Sequence, residues 1–298
     1  MIPVYNGVPY ITATIESVIK NSVGYNVECI VVNDGSTDGT AQVIEEYRDK
    51  IRIFNQANRG ESAAVNKGIE EANGEGILVV SADDPILTPR IFEGMSERLK
   101  FQAEIVAWYP DWLVIDHEGR PIKSIILPDY DFRDLFEKNL VLPGPGTWFR
   151  RKTALSIGGR NARWRYVGDY DFWLRLSLKG LFEHRPEILS QWRRHSASTS
   201  ISERGPRMAE ERINVIESFI EHHSDELQEY STSLARANAH YLAARLGFFS
   251  RQVNSRKLLI DAIKFDFRVL KLSKLHEILF MLTFPLSKRT VDFIRGRT

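Results

Sequence analysis

At 298 residues the chain is long enough for one large or two smaller domains with an extensive core. Its 43% hydrophobic and 27% charged residues are those of an ordinary globular protein and exclude general disorder. The formal net charge of +1 lacks the basic excess of a nucleic-acid-binding domain, so no nucleic-acid partner is expected.

The first residues, Met1-Ile2-Pro3-Val4-Tyr5-Asn6-Gly7, carry neither a basic leader nor a long apolar run, so no secretory signal is expected there. Tyr5-Asn6-Gly7 follows what must be a very short first strand. Val27 to Val32 reads as a buried strand, ending in the polar turn Asn33-Asp34-Gly35-Ser36; a helix carrying Val43, Ile44 and Tyr47 comes next. The single cysteine, Cys29, lies in that strand and cannot form an internal disulfide, which fits a reducing, cytoplasmic compartment. Ile51 to Phe54 reads as a strand, Glu61 to Ala72 as a helix closing near Gly74, Ile77 to Val80 as a strand, and Pro89 to Lys100 as a helix. Strands alternating with helices predict a parallel, helix-covered sheet, whose ligands collect at the carboxyl ends of the strands.

Beyond residue 104 the pattern looks antiparallel, with strands over Ile105 to Tyr109, Trp112 to Ile115 and Pro121 to Ile126, and a hairpin turn over Asp116-His117-Glu118-Gly119-Arg120. Asp169-Tyr170-Asp171 opens an amphipathic helix with Phe172, Trp173 and Leu176 on one face, stopping near Gly180. After Ser200 only helices are expected: Arg207 to His222, Thr232 to Phe249, Ser255 to Phe265, then an apolar and basic stretch. Ser, Gly and Pro cluster near Ser202 to Gly205, which divides the chain into domains 1–203 and 204–298. The apolar run Ile278 to Phe284, interrupted by Pro285, falls short of the ~20 residues a spanning helix requires.

Two acidic clusters stand out, each at the end of an apolar element: Asp83-Asp84 after Ile77 to Ala82, and Asp169 with Asp171. Burying an ionised carboxylate without a partner costs several kcal/mol or more, so something must compensate these groups. The pattern suits metal-assisted transfer chemistry in one cleft.

Six ordered blocks carry a resemblance: Ile-Pro-Val-Tyr-Asn-Gly (2–7), Val-Asn-Asp-Gly-Ser-Thr-Asp-Gly-Thr (32–40), Asn-Arg-Gly-Glu-Ser-Ala-Ala-Val-Asn-Lys-Gly (58–68), Ser-Ala-Asp-Asp (81–84), Gly-Asp-Tyr-Asp-Phe-Trp-Leu-Arg-Leu (168–176) and Trp-Arg-Arg-His (192–195). Together they resemble a family 2 glycosyltransferase, over roughly the first 200 residues. The resemblance implies a GT-A fold of the α/β class: a Rossmann-like mixed central sheet flanked by helices, here with an all-helical C-terminal extension. It implies an inverting sugar transfer from a nucleotide-sugar, a UDP-sugar by expectation, to an acceptor hydroxyl on a saccharide or lipid-linked acceptor, in cell-surface polysaccharide or glycan synthesis.

By the same resemblance Pro3 and Tyr5 lie against the nucleobase, Asp34 hydrogen-bonds it, and Gly60, Ser62 and Asn66 border the donor. Ser81, Ala82 and Asp83 match the DXD motif, with Asp83 as ligand to Mn²⁺ or Mg²⁺ and Ser81 standing where the first acid is usual. His195 matches a further metal ligand. Asp169 matches the catalytic base, with Gly168 where the family usually has Glu. A free Asp titrates near ~3.9 and is a weak base, so partial burial is expected to strengthen it. Arg193 and Arg194 contact phosphate oxygens or are solvated, and Asp84 is either a weaker candidate beside Asp83 for the same role or an acid at a helix N-terminus. Trp148 and Trp164 are either acceptor platforms or core. The helical tail is a packing extension, a homodimer contact or a peripheral membrane attachment at the inner face of the cell membrane; Lys264, Arg268, Lys271, Lys274, Arg295 and Arg297 beside apolar residues motivate the last. Ser81 and Gly168 keep open the alternative of a catalytically silent nucleotide-sugar-binding module. A nucleotidyltransferase or a Rossmann dehydrogenase would need a glycine-rich phosphate loop near the N-terminus, and none is present.

Overall fold

The computed structural model describes residues 1–195, 205–250, 255–271, 278 and 281. The chain forms two compact units, Met1–Asp131 with Val141–Ser196, and Phe132–Leu140 with Ala197–Thr298.

In the first unit, β1 (Ile2–Val4), β2 (Ile30–Asn33) and β3 (Arg52–Asn55) pair in parallel in that order. The apolar triplet Ile30-Val31-Val32 is buried, as expected of a strand covered on both faces. The Met1 ammonium donates to the Leu78 carbonyl at 2.7 Å, and the Val80 N–H donates to the Met1 carbonyl at 2.9 Å. This reciprocal pattern is that of a parallel pairing, so β4 (Gly76–Leu78) runs beside β1 and the sheet continues. From there β7 (Trp148–Arg150) pairs antiparallel to β4, and β5 (Ile105–Ile115) antiparallel to β7 and to β6 (Pro121–Ile125). β8 (Leu181–Arg193) lies parallel along β5.

Helices cover this mixed sheet. α1 (Ile11–Asn21) buries Ile11, Thr14, Ile15 and Val18, a stripe set by helical spacing. α2 (Thr40–Glu45), α3 (Glu61–Glu71) and α4 (Met95–Phe101) follow β2, β3 and β4, as alternation predicts. The helix expected over Pro89 to Lys100 is split into a 3-10 turn at Pro89–Phe92 and α4, because Gly94 between them takes a left-handed φ of 74°. The two strands expected over Ile105 to Ile115 are one. Pro110 brings no N–H to the ladder, and the register against β8 shifts beside it.

The second unit holds α5 (Phe132–Phe136), α8 (Gly205–His222), α9 (Thr232–Ser250) and α10 (Ser255–Phe265). Residues 132–140, which the boundary near 203 assigned to the first domain, pack here. Phe132 and Phe136 meet Tyr230 edge-on with centroids 4.8 and 6.3 Å away. The buried Glu137 accepts the Ser231 N–H at 2.8 Å, its carbonyl accepts Asn238 Nδ2 at 2.8 Å, and Asn139 donates to the Ala235 carbonyl at 3.3 Å. These buried polar bonds, with the ring cluster, fix the segment to α9. Lys274, Arg295 and Arg297 lie outside the described residues, as do 202–204. Among the described residues no helix is long and apolar enough to cross a membrane.

Candidate active site

The parallel strands deliver their carboxyl ends to one edge of the sheet, bringing Tyr5, Asp34, Asn55 and the Ser81–Asp84 segment to the same side. Asp34 is buried at the end of β2. Its Oδ1 accepts Gln56 Nε2 at 2.7 Å and the Arg59 N–H at 2.9 Å, and its Oδ2 accepts the Gly60 N–H at 2.8 Å. The carboxylate thereby holds the loop that leads into α3. Gly35 beside it has φ of 71°, and a Cβ there would stand 2.7 Å from the Asn58 backbone nitrogen, so only glycine suits this approach. Pro3 is buried and Tyr5 is half exposed. The loop after Tyr5 is pinned: the Asn6 N–H donates to Ser36 Oγ at 3.0 Å, the Thr37 N–H to Asn6 Oδ1 at 2.8 Å, and the Gly7 N–H to Thr40 Oγ1 at 2.9 Å.

Beyond β4, Ser81 is exposed and the Ala82 carbonyl accepts Thr14 Oγ1 at 2.9 Å. Asp83 and His195, widely separated in sequence, meet with His195 Nε2 at 2.8 Å from Asp83 Oδ2. Both side chains keep some solvent access, 29% and 14% respectively. The Tyr10 ring lies against the imidazole with centroids 5.0 Å apart. Among the described residues no group of three or more His, Cys, Asp or Glu is placed to hold a metal ion. The Asp83–His195 pair offers one hard oxygen and one nitrogen, so further ligands would come from phosphate or water oxygens.

Asp84 and Arg193 differ from expectation. Asp84 caps no helix: it is buried, and its Oδ1 accepts the Arg193 backbone N–H at 2.7 Å. Burial, reinforced by the neighbouring Asp83 charge, pushes its carboxyl up to about 8, against the opposing bonds from Arg193 and Ser81. The Arg193 side chain is also buried. Its Nε donates to the Asp83 carbonyl at 2.9 Å and its Nη1 to the Asp116 and His117 carbonyls, each at 3.2 Å, while the guanidinium sits 4.9 Å from the centre of the Tyr10 ring. It anchors the Asp83 loop to the hairpin turn instead of reaching phosphate; Arg194 is exposed.

Asp169 stands in the first turn of α7 (Gly168–Ser177), exposed, with Oδ1 accepting the Tyr170 N–H at 2.8 Å. The burial expected to strengthen it as a base is absent. Gly168 has a steric reason: a Cβ there would lie 2.4 Å from Ser62 Oγ, so a Glu in this place would displace Ser62. Ser62 itself is buried, its Oγ 3.4 Å from the Trp164 carbonyl. Both polar atoms of the Asn66 amide bond the Arg160 backbone, at 2.7 Å each. Ser62 thus faces protein, Asn66 is half-buried, and Gly60 donates its N–H to Asp34. Trp148 is fully buried and Trp164 nearly so, with Nε1 donating to Asp171 Oδ1 at 3.2 Å. Both are core, and neither presents a ring face to an acceptor. Through Gly60, α3 and the Ser62–Gly168 contact, the Asp34 loop and the start of α7 adjoin. Asp83 is linked to the Tyr5 loop through Ala82, whose Cβ is 3.6 Å from the Cβ position of Gly7.

Residues 1–157, more than half of the chain, match the family model for glycosyl transferase family 2. The chain belongs to that family. An uncharacterized glycosyltransferase of Rickettsia typhi is 31% identical over 214 residues, covering 67% of this chain and 64% of that protein, so the match spans under two thirds of the relative. The crystal structure of residues 1–349 of S. aureus TarS in complex with UDP-GlcNAc superposes with a TM-score of 0.67 at 19% identity, covering 99% of this family 2 chain and 88% of that one. A mannosyltransferase of Pyrobaculum calidifontis in complex with GDP-Man and Mn²⁺ gives a TM-score of 0.55 at 13% identity, covering 100% and 86%. The fold is therefore that of the GT-A glycosyltransferases, with helices flanking a mixed central sheet.

Arg193, Asp84 and the partners of Asn66 were not legible as site architecture. The Trp-Arg-Arg-His block marked the place of Arg193 but not its direction, and Asn66 bonds a segment far along the chain. The Gly158-Gly159 pair, a local signal for close backbone approach, was the one available clue to that contact.

Proposed function

We propose that this family 2 member is an inverting, metal-dependent glycosyltransferase that moves a sugar from a UDP-sugar to a hydroxyl of a saccharide or lipid-linked acceptor, in cell-surface polysaccharide or glycan synthesis. The observation that carries the reading is the Asp83–His195 pair, 2.8 Å apart and partly open to solvent, at the sheet edge that also bears Asp34. A carboxylate oxygen with an imidazole nitrogen fits Mn²⁺, and less well Mg²⁺, which prefers oxygen alone. Such a cation, when bound, supplies Lewis-acid stabilisation of the charge that develops on the departing diphosphate. The solved complexes with UDP-GlcNAc and with GDP-Man and Mn²⁺ support this choice of ligands by likeness of fold.

In this reading Tyr5 and Pro3 border the nucleobase. Asp34 uses three acceptor positions on the loop that leads into α3 and has one left for a base N–H, since a carboxylate offers about four. Ser81, exposed, is the donor-side hydroxyl where the family resemblance implies an acid. Asp169 takes the proton of the acceptor hydroxyl as that oxygen attacks the anomeric carbon from the face opposite the diphosphate. The bond from that carbon to the diphosphate oxygen breaks, and the configuration inverts. Exposure keeps Asp169 accessible to an incoming hydroxyl, so orientation rather than desolvation is its contribution.

Release of UDP from a panel of UDP-sugars with Mn²⁺ tests the proposal. Slow release by the wild type, lost in Asp169→Asn while UDP still binds, supports it; equal release by both sinks the assigned base. Ser81 and Gly168 favour the second reading, a silent nucleotide-sugar-binding module, which predicts UDP-sugar binding without turnover. We place the protein in the cytoplasm, with the C-terminal helices serving as a homodimer contact or as a peripheral contact at the inner face of the membrane. Phe267 and Lys264, 74% and 71% exposed, support the membrane contact, and flotation of the intact chain with anionic liposomes distinguishes the two: co-flotation supports the membrane contact, and its absence favours the homodimer contact.

A further inference from the structure

The loop Ile157–Trp164, between α6 (Arg151–Ser156) and α7, is gripped from two sides. From α3, Asn66 Nδ2 donates to the Arg160 carbonyl and Asn66 Oδ1 accepts the Arg160 N–H, both at 2.7 Å, the pairing a neighbouring strand would provide. From α7, Arg175 Nη1 donates to the Ile157 carbonyl at 2.7 Å and Nη2 to the Gly159 carbonyl at 2.9 Å. The same guanidinium pairs with the buried Asp171 Oδ2, Nε at 2.9 Å, and the other Asp171 oxygen accepts Trp164 Nε1 at 3.2 Å. Gly158 and Gly159 have φ of 75° and 68°, and a Cβ at 159 would stand 2.4 Å from Asn66 Oδ1. The backbone approaches this closely only because the side chain is missing.

Asp169 has no burial to hold it. Its position is that of α7, and α7 is located against α3 by the Gly168–Ser62 contact and by this doubly bonded loop. α3 in turn begins at Gly60, whose N–H is bonded to Asp34. We infer that Asn66 and Arg175 are positioning residues that set the distance between the Asp169 carboxylate and the nucleotide-sugar segment Asp34–Gly60, without touching substrate themselves. The Arg175 fork is divided among two carbonyls and one carboxylate, and Asn66 commits one N–H and its carbonyl oxygen to the Arg160 backbone. The inference rests on the reading of Asp169 as base. A general base must stand within hydrogen-bond reach of its proton, and a displacement of about 1 Å can lower a rate by roughly 10².

Arg175→Lys keeps a charge for Asp171 but loses the fork; Asn66→Asp is isosteric and turns the bond to the Arg160 carbonyl into an oxygen–oxygen contact. UDP release from the most rapidly cleaved UDP-sugar of the panel, UDP affinity by calorimetry and thermal stability are measured for each, beside Asp169→Asn. Both variants are expected to lose at least about tenfold in kcat with UDP affinity kept within about twofold, and neither should lower the residual rate further when combined with Asp169→Asn. Full kcat in either folded variant, or losses of kcat and UDP affinity that run in parallel, overturns the inference. If Arg175→Lys does not fold, Asn66→Asp decides alone. Should Asp169→Asn itself keep full release, the base assignment fails first; if it abolishes release while Asn66→Asp and Arg175→Lys keep full kcat, only the positioning role fails.

Discussion

Asp84, buried beside another carboxylate, opposes folding across the neutral range. Its carboxyl titrates at about 8 in the fold against 3.8 in a free chain, so between these values the folded state holds a proton that the unfolded state has released. Raising the pH therefore lowers stability, and the contribution present below pH 4 is lost as pH passes through about 8. Asp84→Asn keeps an acceptor for the Arg193 N–H, and its melting temperature is expected to vary less than that of the wild type between about pH 5 and about pH 8. Mn²⁺ should flatten the wild-type profile in the same direction by drawing off the Asp83 charge; a wild-type profile as flat as the variant's in metal-free buffer contradicts the account. At Asp169 the expectation is kinetic: Asp169→Asn lowers turnover by roughly 10² to 10⁴ and leaves UDP affinity within a few-fold, measured by UDP release and calorimetry. The sequence made the identity of these carboxylates legible, because acids at the ends of apolar runs need a reason. Burial was another matter. Nothing local distinguishes Asp84 from Asp83, or an exposed Asp169 from a sheltered one, since the covering groups, such as the Arg193 backbone, arrive from distant segments.

Among the elements, those with a clean period were readable and those held by pairing were not. β2 and β3 announce themselves as short apolar runs, and the helix expected near Ser255 to Phe265 coincides with α10. β8 was missed because Leu181 to Arg193 mixes Glu183, His184, Arg185, Pro186 and Glu187 into the strand. Ion pairs compensate it: Glu183 with Arg98 at 2.5 Å and Glu187 with Arg185 at 2.6 Å, and buried His184 has Asp111 at 2.9 Å. From sequence alone Trp148 and Trp164 fit core and acceptor platform equally, because an aromatic ring suits both until the neighbouring sheet is known. The turn after β2 yields a test. A methyl group on Gly35 would meet the Asn58 and Gln56 backbone at 2.7 and 3.2 Å, and φ of 71° is strained for any other residue. Gly35→Ala should cost about 1–3 kcal/mol in chemical denaturation and weaken UDP binding with it, through displacement of the Asp34 loop. Unchanged stability and affinity would show that the loop is not held as described.

At the scale of the whole chain, the two units interleave in sequence, because 132–140 leaves the first and packs with the helices. The resemblance covers roughly the first 200 residues and the Ser, Gly and Pro cluster marks a boundary near 203; neither gives a sign of this excursion, because its partners around Tyr230 and Asn238 lie about 100 residues away. A chain ended at Ser196 is therefore expected to leave those side chains uncovered and to aggregate, detected by light scattering. Phe136→Ala in the full chain should cost about 3–5 kcal/mol, because its ring is fully buried. A soluble, monodisperse chain ended at Ser196 would contradict the packing of this segment. The central claim joins both acidic clusters to one nucleotide-sugar, and the most direct measurement is calorimetric titration of UDP into the wild type and Asp83→Asn, with and without Mn²⁺. The account predicts that Mn²⁺ strengthens UDP binding in the wild type by tenfold or more, about 1.4 kcal/mol, and has little effect in Asp83→Asn. UDP affinity that is the same with and without Mn²⁺, or the same in both proteins, contradicts it.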